Sequence, residues 1–342
     1  MDSSALTSAT LSPSPSPLRI STMTVTGHLG AIPDLQKLYD NCHFIPYWWI
    51  GEGIIKIEFG GARRGMCMED ILHTTTKAKK HFFNQSSLVF RLQTGPAQFK
   101  ETNIKLFKNG GFQMTGVNSE AMARAALQRL IEMNWGSDGS DSDGGSGRGI
   151  WPADAKPYIK KFDTCMINSD YSIDCAIRRD RLYRVLVEDF GLWSTFEPTI
   201  YQGVNTKFFW NKMRPADAPP GICVCPTPCD GDGDGLSVGA CKKITIAPFR
   251  TGKIIITGAK CMEQLDDAYR FMNGVFTRYA SQVLREHPTL EPVSGLSSSS
   301  ASAAPSRKKA AAATAPPTTE ATLRQRMRAS PRNIVRTAVS GI

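Results

Sequence analysis

Alternation between apolar and polar positions predicts a chain of strands punctuated by a few helices. Ser21 to Thr26 alternates small polar and apolar residues, the period of a strand with one face buried. Pro33 to Phe44 changes to helical spacing, with Pro near its start and Leu35, Leu38 and Tyr39 in register. Ile50 to Phe59 predicts a second strand and Leu88 to Leu92 a third. Between them, Arg63 to Lys80 reads as a partly helical insertion with a basic run at Lys77, Lys79 and Lys80. Ser119 to Met133 predicts a helix whose face carries Met122, Ala126, Leu127, Leu130 and Ile131. After a Gly/Ser/Asp linker, Trp135 to Gly149, the order recurs. A strand is expected over Asp163 to Ile173 and a helix over Arg179 to Phe190. Strands near Thr199 to Tyr201 and over Asn205 to Trp210 follow, and a helix over Met262 to Leu284 closes the pattern.

The recurrence is sharpest in one stretch. Asn103 to Asn118 reads NIKLFKNGGFQMTGVN, and Ile244 to Lys260 reads ITIAPFRTGKIIITGAK. At one constant offset Phe107 meets Phe249, Gly110 meets Gly252, Thr115 meets Thr257 and Gly116 meets Gly258. Basic Lys108 likewise meets Arg250. Each copy predicts strand, tight Gly turn, strand, Gly and helix. Two such units imply a pseudo-twofold molecule, suited to a partner that is itself roughly twofold, such as a DNA duplex. In Ile254-Ile255-Ile256 both strand faces are apolar. One face would meet the helices, and an apolar face left open marks an interaction surface.

This unit, F-x-x-G-x-x-x-x-T-G after an apolar strand, resembles each half of the TATA-box-binding protein (TBP). Ile177 to Leu182, reading IRRDRL, is similar to the family's I-R-L-E-G-L helix opening. Phe196 to Gly203, FEPTIYQG, is similar to its Y-E-P-E-L-F-P-G stirrup. The wording, such as FFNQ, looks most like the divergent members of large DNA viruses. The resemblance implies an α+β saddle: a curved antiparallel sheet of about ten strands with helices on its convex face. The expected layout is a Ser/Pro-rich disordered tail (1–19), a first repeat (20–134, with the insertion at 63–80) and a linker (135–150). A second repeat (151–286, with an insertion at 215–241) and a disordered basic Ala/Pro tail (287–342) complete it.

Carried over position by position, the resemblance names an interface. Phe107 and Phe249 match one intercalating wedge in each half. Tyr201 stands at the other wedge of the second half, and its first-half counterpart falls near Gln85, with Phe82 and Phe83 just before it. Of these Phe83 is taken as the candidate. The competing reading for each ring is core packing. Thr115 and Thr257 match hydroxyls that reach base acceptors, Ile255 an apolar groove contact, and Gln113 its first-half equivalent. Met166 stands where the family has a central Asn, with Asn168 two residues on, so the central hydrogen bonds are lost or supplied differently. Arg91, Lys207, Lys253 and Lys260 match phosphate contacts, which position a protein without selecting sequence. Gly111 and Asn118 replace two of these in the first half, which should hold phosphate less well. Glu197 matches the surface for the IIB-type general transcription factor.

Charge agrees with a polyanionic partner: the net charge is +10, concentrated beyond His287. The nine Cys are spread through the chain, the first twenty residues lack an apolar core, and no apolar run approaches the length of a membrane span. Reduced thiols, no membrane, and the nucleus (or a viral factory, for a virus-encoded chain) are therefore expected. Cys223, Cys225, Cys229 and Cys241 form C-x-C-x3-C-x11-C in the second insertion. Four thiols can hold zinc, but this spacing is not one of the common zinc patterns, so no metal and no cofactor are assigned. Asp230, Asp232 and Asp234 begin like a calcium loop, but Cys241 sits where a bidentate Glu is needed.

The function expected is that of a transcription initiation factor, monomeric on DNA. It would bind and bend A/T-rich promoter duplex through the minor groove and recruit a IIB-type factor and the RNA polymerase machinery. One alternative is a protein-interaction scaffold on the same fold without DNA binding. A nucleic-acid-processing enzyme is the other, although no acidic pair or His/Cys arrangement stands out.

Overall fold

In the computed structural model, residues 12–72, 82–134, 149–152 and 154–287 are described. Alternating burial sets the first strand: β1 (Arg19–His28) buries Met23 and Val25 and turns Thr22, Thr24 and Thr26 the other way. α1 (Leu35–Asn41) is capped by Asp34, whose carboxylate accepts from the N–H groups of Gln36 and Lys37 at 3.0 Å. Then come β2 (Gly53–Phe59), β3 (Ala62–Gly65), α2 (Met68–Leu72), β4 (Gln85–Gly95), β5 (Gln98–Phe107), β6 (Gly111–Val117) and α3 (Glu120–Asn134). The second half begins with β7 (Lys161–Ser172), β8 (Ala176–Ile177), α4 (Arg179–Glu188), β9 (Trp193–Thr195) and β10 (Asn205–Trp210). It ends with β11 (Lys242–Pro248), β12 (Lys253–Ala259), α5 (Met262–Arg278), α6 (Ala280–Val283) and β13 (Leu284–Arg285).

Eleven strands form one antiparallel sheet in the order β3-β2-β4-β5-β6-β1-β7-β12-β11-β10-β9, while β8 and β13 pair separately. The order mirrors itself about the β1–β7 seam: β6, β5 and β4 step outward on one side as β12, β11 and β10 do on the other. The architecture is α+β and consistent with the expected saddle. At the seam Thr22 faces Asn168, Met23 faces Ile167 and Thr24 faces Met166. A bulge at Ser21 in β1 and another at Cys165 in β7 flank these pairs symmetrically. Bulges increase local twist, so paired bulges twist both halves alike.

One sheet face meets the helices. Leu106, Phe112 and Met114 join Ala123, Leu127 and Ile131 of α3, and Ile244, Ile254 and Ile256 join Leu265, Met272 and Phe276 of α5, in one continuous core. α2 departs from the expected layering and lies over the opposite, open face. There Ile45, Ile55, Cys67 and Val89 make a second small core, with Tyr47 against it. Lys56, only 8% exposed, donates to Asp70 at 2.9 Å, and Asp70 also accepts from the Cys67 N–H at 3.0 Å. Burial pushes the Asp70 carboxyl up, but the bonds from Lys56 and Cys67 outweigh it and hold the pKa at about 2. The first insertion and the segment before β2 that carries Ile45 and Tyr47 thus form a cover clamped over β2 and β4. The insertion's basic run at Lys77, Lys79 and Lys80 lies outside the described residues, as does 135–148 of the linker.

Two further expectations need correction. Thr199 to Tyr201 is a turn, not a strand: the N–H groups of Ile200 and Tyr201 both donate to the Glu197 carbonyl, at 2.9 and 2.8 Å. The strand is Trp193–Thr195, paired with Asn205–Lys207. Pro198 has no N–H to give a ladder, which favours the turn. Residues 12–18 are not a free tail. The Ser16 N–H donates to the Ser172 carbonyl at 2.8 Å, Ser172 N–H returns a bond to Ser16 Oγ at 3.0 Å, and the Tyr269 hydroxyl donates to the Ser16 carbonyl. These bonds satisfy backbone at the end of β7 that would otherwise be unpaired.

Candidate nucleic-acid interface

The duplicated hairpins close with the same turn. Gly110 N–H donates to the Phe107 carbonyl at 2.9 Å, and Gly252 N–H to that of Phe249 at 3.1 Å. Both glycines are left-handed, at φ +81° and +80°, and a Cβ on either would lie within 2.4 Å of a backbone carbonyl oxygen. Only glycine fits such a turn, which explains the repeated F-x-x-G. Each turn then accepts a bond from the strand behind it, Leu29 N–H to Gly110 and Ile173 N–H to Gly252, both 2.9 Å. The hairpin tips are thereby fixed to β1 and β7, and Phe107 and Phe249 sit half-exposed at matching stations.

A second aromatic accompanies each. Val89 pairs with Asn103, and Lys207 with Thr245, at corresponding points of the two halves. Counting back along β4 and β10 from those pairs brings Phe83 and Tyr201 to one common position. The first-half counterpart of Tyr201 is therefore Phe83 rather than Gln85. Tyr201 packs edge-on against Phe249 with ring centroids 5.6 Å apart and remains 41% exposed, while Phe83 is 65% exposed. The stirrup that carries Tyr201 is held by Arg179. Its guanidinium donates to the carbonyl and, at 3.0 Å, to the side-chain oxygen of Gln202, and stacks over Phe196 at 5.1 Å. Glu197, in the same stirrup, is exposed.

Between the aromatic ends, the open face carries matched residues. Thr115, Gln113, Thr257 and Ile255 are all half-buried and alternate with core residues. Asn168 pairs with Thr257 on β12 and with Thr22 on β1, at the centre of the face. The central polar groups are thus Thr22, Thr24 and Asn168, with Met166 opposite Thr24. Thr22 and Thr24 were missed as site residues. Their alternation in the first strand was visible, but not that this strand lies at the seam.

No family model matches the chain. A "TATA-box-binding protein-like" protein of Acanthamoeba polyphaga mimivirus is 28% identical over 272 residues, covering 78% of this chain. Over most of its length the chain is similar to that viral protein. It spans 66% of that viral protein's length. Among solved structures, Methanococcus jannaschii TBP aligns at a TM-score of 0.40 and 15% identity, over 78% of this chain and 99% of its own.

Charge is distributed unevenly over the open face. The groove beside Phe249 is lined by Arg179, Arg250, Lys253 and Ile255, the one beside Phe107 by Asn84, Lys108, Asn109 and Gly111. Lys253 is not free: its ammonium lies 3.4 Å from Asp170, which also holds Arg19 at 2.8 Å and accepts from Ser21 at 2.5 Å. Partial burial pushes Asp170 up, but Ser21, Arg19 and Lys253 together hold its carboxyl below the ordinary range. Lys207 donates to Thr245 Oγ1 at 2.8 Å, and burial together with nearby Lys243 lowers its pKa. Lys260 is half-exposed beyond the end of β12, close enough to Lys242 to depress that residue's pKa, after burial.

Arg91 departs from its expected place at a phosphate. It is 8% exposed, donates to the carbonyls of Tyr47 and Trp49 at 2.9 and 2.8 Å and to Glu101 at 3.1 Å, and stacks over Tyr47. The cover buries it, and its donors serve the cover. In the second insertion, the sulfurs of Cys223, Cys225, Cys229 and Cys241 all lie within 4.8 Å of one another. The spacing had argued against this convergence.

Proposed function

We propose that the chain binds duplex DNA through the open face of its TBP-like sheet and kinks it at both ends of the contact, acting in transcription initiation. The observation that carries this reading is the pair of aromatic stations, Phe83 with Phe107 and Tyr201 with Phe249, equivalent about the β1–β7 seam. An exposed ring gains little in water, whereas between base steps it is desolvated and stacked. Wedges of this kind unstack a step at a cost of about a few kcal/mol, offset by added contact. The threonines and Asn168 offer short hydrogen-bonding groups suited to the sparse acceptor pattern of the minor groove. Pyrimidine–purine steps, such as TA in A·T-rich DNA, are favoured because they unstack most easily.

The proposed reader is asymmetric. In the first half the cover occupies the open face of β2 and β4, and Arg91 is consumed by it. In the second half Arg250 and Lys260 stand ready for phosphates, and Lys207 and Lys253 would have to leave Thr245 and Asp170 to join them. The role is non-catalytic, with the protein a monomer on DNA in the nucleus or a viral factory. Glu197, on the exposed stirrup, is the proposed contact for a IIB-type factor that brings the polymerase machinery. A protein-binding scaffold is the second reading, favoured by the cover and by Asp170 on the open face. Filter binding with plain duplex DNA at low salt separates them: retention that falls steeply with salt supports the reader, and no retention supports the scaffold. Selection from a random duplex pool then reads the target.

A further inference from the structure

Residues 211–241 connect β10 to β11 without any helix or named strand. A connection of that length with no secondary structure of its own needs some other constraint to hold one conformation. Part of it is knitted to the start of β11 and to α5: Lys243 N–H donates to the Gly231 carbonyl at 2.7 Å, and Gln264 donates to the Asp234 carbonyl at 2.7 Å. At its centre is the cluster of four cysteines. Cys223 and Cys229 sulfurs are 3.3 Å apart, Cys225 and Cys241 3.5 Å, and Cys223 and Cys241 3.7 Å.

We propose that Cys223, Cys225, Cys229 and Cys241 form a structural tetrathiolate zinc site that staples this connection to the start of β11. A tetrahedron of sulfurs at a Zn–S distance of about 2.3 Å has edges of about 3.8 Å, close to the spacings here. The four donors come from three points of the loop and from the residue immediately before β11, so a metal would tie the loop's far end to the sheet. Backbone and amide donors already point at the sulfurs: Gly239 N–H lies 3.2 Å from Cys225 Sγ, and Asn211 Nδ2 3.5 Å from Cys241 Sγ. Such N–H donors are the outer partners that stabilise metal-bound thiolates. The sulfurs are donors only, and four of them leave no position for a water, so the site is closed and structural. The other five cysteines do not join the cluster. C-x-C was unpersuasive as a spacing because proximity along the chain says nothing of where Cys229 and Cys241 return.

Metal analysis of the full chain, expressed with zinc and purified under reducing conditions, tests the site. One zinc per chain by native mass spectrometry is expected, released as one equivalent when the wild-type thiols are titrated with an organomercurial. Replacement by cobalt should give the intense visible bands of tetrahedral sulfur coordination. Cys225→Ser should lower zinc content at least tenfold, and Cys261→Ser should leave it at one. Because Cys225→Ser could also misfold, the wild-type release and the cobalt spectrum stand independently of it. A metal-free reduced chain, two disulfides among these four cysteines, iron in place of zinc, or equal zinc loss in Cys261→Ser would each overturn the proposal.

Discussion

Asp170 and Lys253 form an ion pair at 3.4 Å on the face that would meet DNA. A carboxylate there opposes phosphate, and it also occupies the cation best placed to bind one. Asp170→Asn should therefore strengthen duplex binding several-fold and steepen its salt dependence, by about 0.9 in logarithmic slope for each cation released to phosphate. Lys253→Ala and Lys260→Ala should weaken binding to all sequences and flatten the slope. Titrations between low and moderate salt check both. An unchanged slope in all three variants would remove this edge from the interface.

Phe107 and Phe249 should govern bending more than affinity. Replacing either by Ala is expected to reduce energy transfer between dyes at the two duplex ends, with a smaller loss of nonspecific binding. Tyr201→Ala should act like Phe249→Ala, since the rings are in contact. A double Phe variant that bends DNA as the wild type does would assign these rings to packing.

Arg179 positions the Tyr201 stirrup through a paired contact with Gln202 and a stack on Phe196. Arg179→Ala should accelerate amide exchange across residues 197–203, and Arg179→Lys should rescue it poorly, because an ammonium supplies neither the fork nor the flat stack. Exchange followed by mass spectrometry reads this directly. Protection that survives in Arg179→Ala means the turn's own backbone bonds suffice.

The clamp on the first insertion predicts a pH dependence. Asp70 titrates at about 2 in the folded chain against an ordinary 3.8. Its folded pKa is depressed, so its contribution is complete above about pH 4 and is lost as pH falls through about 2. Asp70→Asn should destabilise the protein at neutral pH by about 1–2 kcal/mol, discounted for partial exposure. The gap between wild-type and variant melting temperatures should close as pH falls toward 2. A gap independent of pH would place the effect in packing rather than charge.

The repeated unit is legible in the residues alone. F-x-x-G and T-G recur because a left-handed turn and the strand after it tolerate few residues, and that local constraint is written in the residues themselves. Strand alternation and helix faces were legible for the same reason: they depend on neighbours a few positions apart. What depends on distant partners emerges from the folded chain. It paired Phe83 with the station of Tyr201 and set Thr22 and Asn168 together at the seam. Arg91, Lys253 and the four cysteines have the right chemistry in isolation. Arg91 is spent on a cover from residues 45–72, Lys253 reaches Asp170 diagonally across the β12–β7 pair, and the cysteines converge through a long loop. Charge and thiol chemistry act through space over a few ångströms, and the chain order does not encode those distances until the sheet has formed.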